Sequence, residues 1–404
     1  MHRVHPLLTL SLMVVLAVAA HTASGAGFGL YEGSARGNAL GGLAGRADDP
    51  SALFFNPAGI TQLEGSQVMG GLTLIAPMTD VQVTTPAGKA TTSTERNYWM
   101  PPHLYGTYQV NDSVWAGLGI YSRFGLGTEF DSEWPGRFNS YNAVIQSLSF
   151  NPNVALKVND KLSVAAGVSA MCFDLELERK LPGPAGELDF SLTGDSIGYG
   201  FNGGIRYEVT DKVALGASYQ STVKQEVEGD ASIRVAKSSA SGDVKLPDMI
   251  FFGIAVEPTD KVSVEVGTIY TGWSSYDELK VKIDDPTLLG KTEVVSEKDW
   301  DDVWRYYAGV EYAVNEAWDV RLGYTYDPSP IPDRTADYLV PANDRHLVGV
   351  GCGYKWESWK LDLSYTYLSI QDRTIKARPA EGVFDSKFEN GDAHMVGVSL
   401  SKAL

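Results

Sequence analysis

A short turn recurs six times along this chain at intervals of about fifty residues, a period that signals one structural unit repeated. The copies are Val110–Ser113, Val158–Lys161, Val209–Lys212, Pro258–Lys261, Val314–Ala317 and Trp356–Trp359. Each joins two runs in which apolar and polar residues alternate, as in half-buried strands. Leu162, Val164, Ala166 and Val168 alternate with Ser163, Ala165, Gly167 and Ser169, and Val320, Leu322, Tyr324 and Tyr326 with Arg321, Gly323 and Thr325. Longer loops rich in glycine and proline separate successive turns. Alternation alone also suits a soluble sandwich. Short turns at one end, long loops at the other and the number of runs together point to an all-β fold, a transmembrane antiparallel barrel of about fourteen strands.

The first strand is expected near 66–77 and the second near 98–110. The third and fourth follow near 113–121 and 141–157, and the last lies near 385–401. Both termini then fall on the short-turn side, which is periplasmic, and 78–97, 122–140, 229–241, 284–298 and 327–343 become external loops. The final strand ends Val396, Val398, Leu400, Leu404 in one phase. Many barrels instead end on an aromatic residue that the barrel-assembly machinery reads. That machinery and the outer-membrane lipid, lipopolysaccharide included, are expected partners.

A net charge of −17 argues against nucleic acid, which needs a basic surface. Arg3 followed by the apolar run Leu7–Ala20 reads as a secretory leader, residues 1–25, cut after Gly25 or, as the near alternative, after Ala26. That run is too short to cross a membrane as a helix. Cys172 and Cys352 fall in the lipid-facing phase of their strands and read as two free thiols. Beyond the leader the histidines are His103, His346 and His394, and the last two are also in lipid-facing phase. A hydrolytic triad needs a Ser–His pair within hydrogen-bond reach, so no catalytic residue and no enzymatic activity are expected. No His/Cys grouping has metal-ligand spacing, and neither metal nor cofactor is expected.

Residues 26–65 do not alternate; the barrel proper is assigned to 66–404. The segment is rich in glycine and alanine and carries Asp49-Pro50 and Asn56-Pro57, each an N-cap followed by a proline suited to a first helical turn. Leu53, Phe54 and Phe55 give it an apolar cluster that a disordered leader has no use for. The expectation is a compact plug, or hatch, inside the lumen.

From Ala26-Gly27-Phe28-Gly29-Leu30 through Ala47-Asp48-Asp49-Pro50-Ser51 to Phe55-Asn56-Pro57-Ala58-Gly59, this segment resembles the N-terminal hatch of the FadL/TodX family of outer-membrane transporters. The likeness continues in Gly125-Leu126-Gly127-Thr128-Glu129-Phe130 with Trp134 and Gly136-Arg137, and in Asn151-Pro152-Asn153. It continues further in Trp273–Leu279, Asp327–Asp333 and Asn343-Asp344-Arg345-His346. The resemblance implies a monomeric, hatch-plugged barrel that passively carries long-chain fatty acids or other hydrophobic small molecules. Aromatic or alkane hydrocarbons are the alternative cargo, and a porin for polar solutes the second alternative. It also implies an inward kink of the third strand, placed here at Phe124 and Gly125, that opens the wall sideways. Gly125 could equally begin an external loop. Lateral release suits such a cargo, because each buried methylene is worth about 0.8 kcal/mol that release into water forfeits. Asn56, Pro57 and Ala58 are read as a moving part of the hatch or as a plain structural cap. Phe130, Trp134 and Phe138 are read as an external landing groove or as rim anchors. Arg321 is read as a lumen partner for a carboxylate or as a structural ion-pair member. The connection Glu178 to Leu188 is short where fatty-acid members of the family have a long loop.

Overall fold

The computed structural model describes residues 27–404 apart from Ala185, Val235 and Thr287. The expected leader lies outside these residues. The alternating runs close into one antiparallel barrel of 14 strands. In order these are Ser66–Thr85, Pro102–Asn111, a third strand in two pieces (Val114–Tyr121 and Gly125–Glu129), Asn142–Lys157, Leu162–Gly183 and Gly186–Thr210. The seventh to tenth strands are also each in two pieces: Val213–Gln220 with Val223–Ile233, Ala236–Leu246 with Met249–Thr259, Val262–Thr271 with Glu278–Ile283, and Glu293–Glu297 with Val303–Ala313. Trp318–Asp327, Arg345–Trp356, Trp359–Ile370 and Asp385–Ala403 complete the wall. The first strand pairs with the last, Gln67 opposite Ala403 through Thr84 opposite Asp385, so no sheet edge is left there.

The repeated turns have a shared chemistry. Asn111 Oδ1 accepts from the Ser113 N–H at 2.9 Å, Asn159 Oδ1 from Lys161 at 2.9 Å and Asn315 Oδ1 from Ala317 at 2.9 Å. Thr210 and Thr259 do the same with hydroxyl oxygens, both at 3.3 Å. A short side chain that accepts from the backbone two residues on fixes a tight turn. Along the strands the phase divides the wall as expected: Val320, Leu322 and Tyr324 are exposed outward, while Asp319, Arg321 and Thr325 are buried inward. Cys172 and Cys352 remain free on the outward face, opposite Leu148 and Leu363 in register.

Four expected loops are partly strand, those at 122–140 and 284–298 through Gly125–Glu129 and Glu293–Glu297. Val81 and Val83 carry the first strand past 77, and Gly88–Ser93 folds back on it as a hairpin. Residues 229–241 hold strand as far as Ile233 and again from Ala236; the inward residues Ala231, Ser238 and Ala240 are small and give little hydropathic contrast.

The hatch fills the lumen. A helix spans Ala35–Leu40, with Ser34 accepting from Gly37 at its start and Gly41 closing it at φ 86. A second, shorter helix spans Ala52–Phe55 and a 3-10 turn spans Pro57–Gln62. Asp49 does not cap the second helix directly; its carboxylate accepts from Ser51 N–H at 2.9 Å and the helix starts later. Asn56-Pro57 behaves as expected, with Asn56 Oδ1 accepting from Ala58 N–H at 3.3 Å. Leu53, Phe54 and Phe55 are fully buried, each worth about 1.5–3 kcal/mol against exposure. Wall glycines let hatch backbone lie against strand backbone. A Cβ at Gly309 would sit 2.6 Å from the Leu40 carbonyl oxygen, and one at Gly349 2.7 Å from that of Asn38. Below, Arg36 reaches Asp48 (2.5 Å), Asp49 (3.0 Å) and Glu311 (2.9 Å), and Arg46 reaches Glu311 (3.0 Å).

Candidate functional site: a cavity opening through the wall

The third strand leaves the wall at Ser122, Arg123 and Phe124 and turns inward onto the hatch. Leu30 N–H donates to the Arg123 carbonyl at 2.8 Å and Gly125 N–H to the Phe28 carbonyl at 2.9 Å, so Phe124 bridges Gly29 as a strand neighbour would. On the other side Ser147 Oγ substitutes for the missing ladder, accepting from Phe124 N–H at 3.0 Å and donating to its carbonyl at 2.7 Å. The kinked backbone is thereby hydrogen-bonded although it has left the sheet, as buried backbone requires.

The kink interrupts the strand pairing of the wall. The second strand pairs with Val114–Tyr121 from His103 to Asn111, whereas Gly125–Glu129 pairs with the fourth strand alone. Pro101 and Pro102 sit at the edge of this gap and have no N–H to offer a ladder. The gap is closed above by Glu95 N–H donating to the Glu129 carbonyl at 2.7 Å. Trp99 lies across it with its indole ring against Gly127, where any Cβ would overlap the ring.

Behind the gap is a cavity of about 600 Å³. Its inner wall is Gly29, Leu30 and Glu32 of the hatch with Phe124 and Gly125 of the kink; Leu347, Leu368 and Met395 make the far side. Its mouth reaches Met100, Leu148 and Cys172 beside the lipid-facing surface. Ile145, Leu126 and Val340 are shared with a smaller apolar pocket on the long-loop side, lined by Phe173, Leu175, Leu177, Val244 and Leu279. Phe28 stands at that second pocket, boxed by Trp273 (ring centroids 4.8 Å), Tyr276 (5.5 Å), Trp300 (5.6 Å) and Phe124 (6.1 Å). Trp273 and Trp300 come from the interruptions of the ninth and tenth strands, which turn large aromatics inward.

One end of the cavity is charged. Arg305 and Arg345 both line it and share the carboxylate of Asp327, at 3.0 and 2.7 Å. Arg305 also lies 4.4 Å over the ring of Tyr31. The Nε atoms of both arginines and Oδ1 of Asp327 are buried without a hydrogen-bond partner. Glu32 faces the same space; burial raises its carboxyl above the usual range, against the pull of Arg305 and Arg345. The site therefore offers a greasy body and a polar pole with hydrogen-bonding capacity to spare.

The other candidates fall elsewhere. Phe124 and Gly125 line the cavity. Phe130 and Trp134 stack at 4.0 Å in the external loops, where Trp134 packs on Tyr338, and Phe138 lies under Arg137 at 4.9 Å; none lines the cavity. Asn56 is fully buried and its amide donates to the Ala44 and Ile205 carbonyls, both at 3.0 Å, tying hatch to wall beside Pro57 and Ala58. Arg321 faces the lumen on the short-turn side, held by Glu311 (2.5 Å) and Asp362 (2.7 Å). His346 and His394 face outward, bonded to Tyr324 and Tyr365. His103 lies inside, 2.8 Å from Ser399 Oγ, with Nδ1 unpartnered. Arg305, Glu32, Trp99 and Pro101-Pro102 are the site residues that the sequence reading passed over. A charged residue at a lumen position between Trp304 and Tyr306 was the available signal.

Comparison with known proteins fits this geometry. The chain is 29% identical to the "47 kDa outer membrane protein" of Pasteurella multocida, covering 96% of each chain. It is 27% identical to the "Long-chain fatty acid transport protein" of Escherichia coli O6:H1, covering 97% of this chain and 98% of that protein. Among solved structures, a Pseudomonas aeruginosa FadL homologue superposes with a TM-score of 0.83 at 20% identity, covering 93% of this chain and 99% of that one. The Ralstonia pickettii toluene transporter TbuX superposes at 0.69 with 18% identity over 93% and 99%. The pattern of the outer membrane protein transport protein family (OMPP1/FadL/TodX) matches residues 16–403, and the chain belongs to that family of outer-membrane β-barrels.

Proposed function

We propose that this protein passively carries long-chain fatty acids across the outer membrane and releases them sideways into the bilayer between its second and third strands. The observation that carries the reading is the cavity itself, which has a two-arginine pole inside and a mouth that reaches Met100, Leu148 and Cys172 beside the membrane. A fatty acid arriving from outside enters the apolar pocket around Phe173 and Leu175 and passes Phe28. Its tail then lies along Leu30, Leu126 and Ile145, and its carboxylate meets Arg305 and Arg345. Leaving through the gap keeps the tail out of water, which preserves about 0.8 kcal/mol per methylene. Phe28 to Leu30 are the moving piece in this reading. They are held by aromatic contacts and two backbone hydrogen bonds to the kink, whereas Asn56-Pro57-Ala58 is the anchor. The protein acts as a monomer amid outer-membrane lipid and lipopolysaccharide, and it does no covalent chemistry on its cargo.

A second reading, neutral hydrocarbons as cargo, draws on the aromatic box around Phe28, where the one lysine of the pocket, Lys298, is matched by Asp337. Uptake of labelled palmitate and labelled toluene by cells lacking their own transporter separates the two. Palmitate uptake that depends on Arg345 supports the fatty-acid reading; toluene uptake alone supports the hydrocarbon one, and uptake of neither overturns both.

A further inference from the structure

We infer that Glu32 of the hatch is a resident counter-charge that competes with the ligand's carboxylate for Arg305 and Arg345, so that a fatty carboxylate binds together with a proton. The inference rests on the fatty-acid reading above. The charge count at the pole motivates it. Two guanidinium groups face one shared carboxylate, Asp327, and Glu32 is the second acid in the same space. With Glu32 ionised the group is neutral and an incoming carboxylate brings an excess negative charge into a buried site. With Glu32 protonated one positive charge is left over, which is what a carboxylate ligand needs.

The arrangement around Glu32 supports this. Its carboxylate accepts from the Tyr31 N–H at 2.9 Å, a bond within its own dipeptide that leaves it without a direct ion pair among the described residues. The charged groups facing it are Arg305 of the tenth strand and Arg345 of the twelfth, with Asp327 of the eleventh behind them. Tyr31 stands between Glu32 and the wall, its ring under Arg305 and its hydroxyl 3.0 Å from Thr271 Oγ1. Glu95 and Asp174 line the cavity only toward its mouth. Arg123, the basic residue of the kink, points away, toward the carbonyls of Ser221 and Pro247. Burial already raises the Glu32 carboxyl. A ligand carboxylate that engages the arginines removes their pull on Glu32 and raises it further, so binding takes up a proton wherever Glu32 was ionised beforehand.

The test is laurate binding to the purified full-length protein in detergent, by calorimetry in two buffers of different ionisation enthalpy, across pH 5 to 9. Dodecanol is the uncharged control. Wild-type protein is expected to take up a proton on binding laurate at the alkaline end, with affinity falling toward about tenfold per pH unit there. Glu32→Gln is expected to bind laurate without proton uptake above about pH 7, where laurate is itself ionised, with a flat profile there and higher affinity at pH 8. Glu32→Asp, which keeps the charge, is expected to keep the slope. Dodecanol should show no slope with any of the three. Equal proton uptake by wild type and Glu32→Gln overturns the inference while leaving the arginine pole standing. Binding of dodecanol without any binding of laurate overturns the fatty-acid reading and the inference with it.

Discussion

Replacing Arg345 by leucine should separate head-group recognition from tail burial. Arg345 shares Asp327 with Arg305, so Asp327 keeps one partner at 3.0 Å after the change and is not stranded as a bare buried charge. A hydrogen bond between charged groups contributes about 1.5–3 kcal/mol, so loss of one guanidinium should weaken laurate binding about 10- to 150-fold. The tail is a separate term. Shortening laurate to decanoate removes two methylenes and about 1.6 kcal/mol in either protein. The assay is competition against a fluorescent fatty acid, with laurate, decanoate and dodecanol as competitors for wild type and Arg345→Leu. The chain-length increment should be the same in both proteins, the carboxylates should lose the head-group increment, and dodecanol should bind the two alike. Equal loss for dodecanol would refute the reasoning, because the substitution would then have damaged the apolar cavity. Unchanged laurate binding would place the carboxylate somewhere other than at Arg305 and Arg345.

Gly309→Val should push the hatch off the wall, since its Cβ would lie 2.6 Å from a backbone oxygen that has nowhere to go; planar-bilayer recordings should show ion conductance that wild type lacks. Lys298→Met leaves Asp337, paired at 2.7 Å with both side chains at most 7% exposed, as an unmatched buried charge. It should destabilise the external loop 328–343 by about 3–5 kcal/mol, seen as faster proteolysis there, while Lys298→Met with Asp337→Leu should recover most of the loss. The hatch should stay docked in mild acid. Burial opposes ionisation of Asp48, but Arg36 and Arg46 outweigh it and hold the carboxyl well below its usual range. That stabilisation is present above the unfolded value, near pH 4, and is lost only as pH falls through the depressed folded value. Amide exchange at Gly37 and Gly41 should therefore be equally protected from about pH 7 to 5, and early loss in that window would refute it.

The wall was legible because its signal is repeated. A two-residue period and an Asn or Thr that closes five of the six tight turns recur along the chain, and either is informative before any contact is known. The hatch was legible at Asn56-Pro57 and in the buried Leu53-Phe54-Phe55, since capping and apolar clustering are local properties. The polar pole was not, because Glu32, Arg305, Asp327 and Arg345 meet only when the hatch docks against three strands far apart in sequence. Arg321 was singled out and Arg305 was not, though both are lumen-facing. What separates them is height along the barrel: Glu311 and Asp362 engage the one below the hatch, while the other borders empty space. Pro101-Pro102 carried a readable signal, two missing donors at a strand start, whose meaning depended on the third strand leaving its place beside them.

Sideways release is tested most directly by where a moving ligand touches the wall. A palmitate analogue with a diazirine near its tail, photolysed on the protein in outer-membrane-like bilayers, should label Met100, Leu148 and the native Cys172 at the mouth of the gap, together with Leu126 inside. Labelling of Arg46, Gln62 and Arg206 on the short-turn side of the hatch, with the mouth residues untouched, would show that the ligand descends past the hatch into the periplasm and would contradict lateral release.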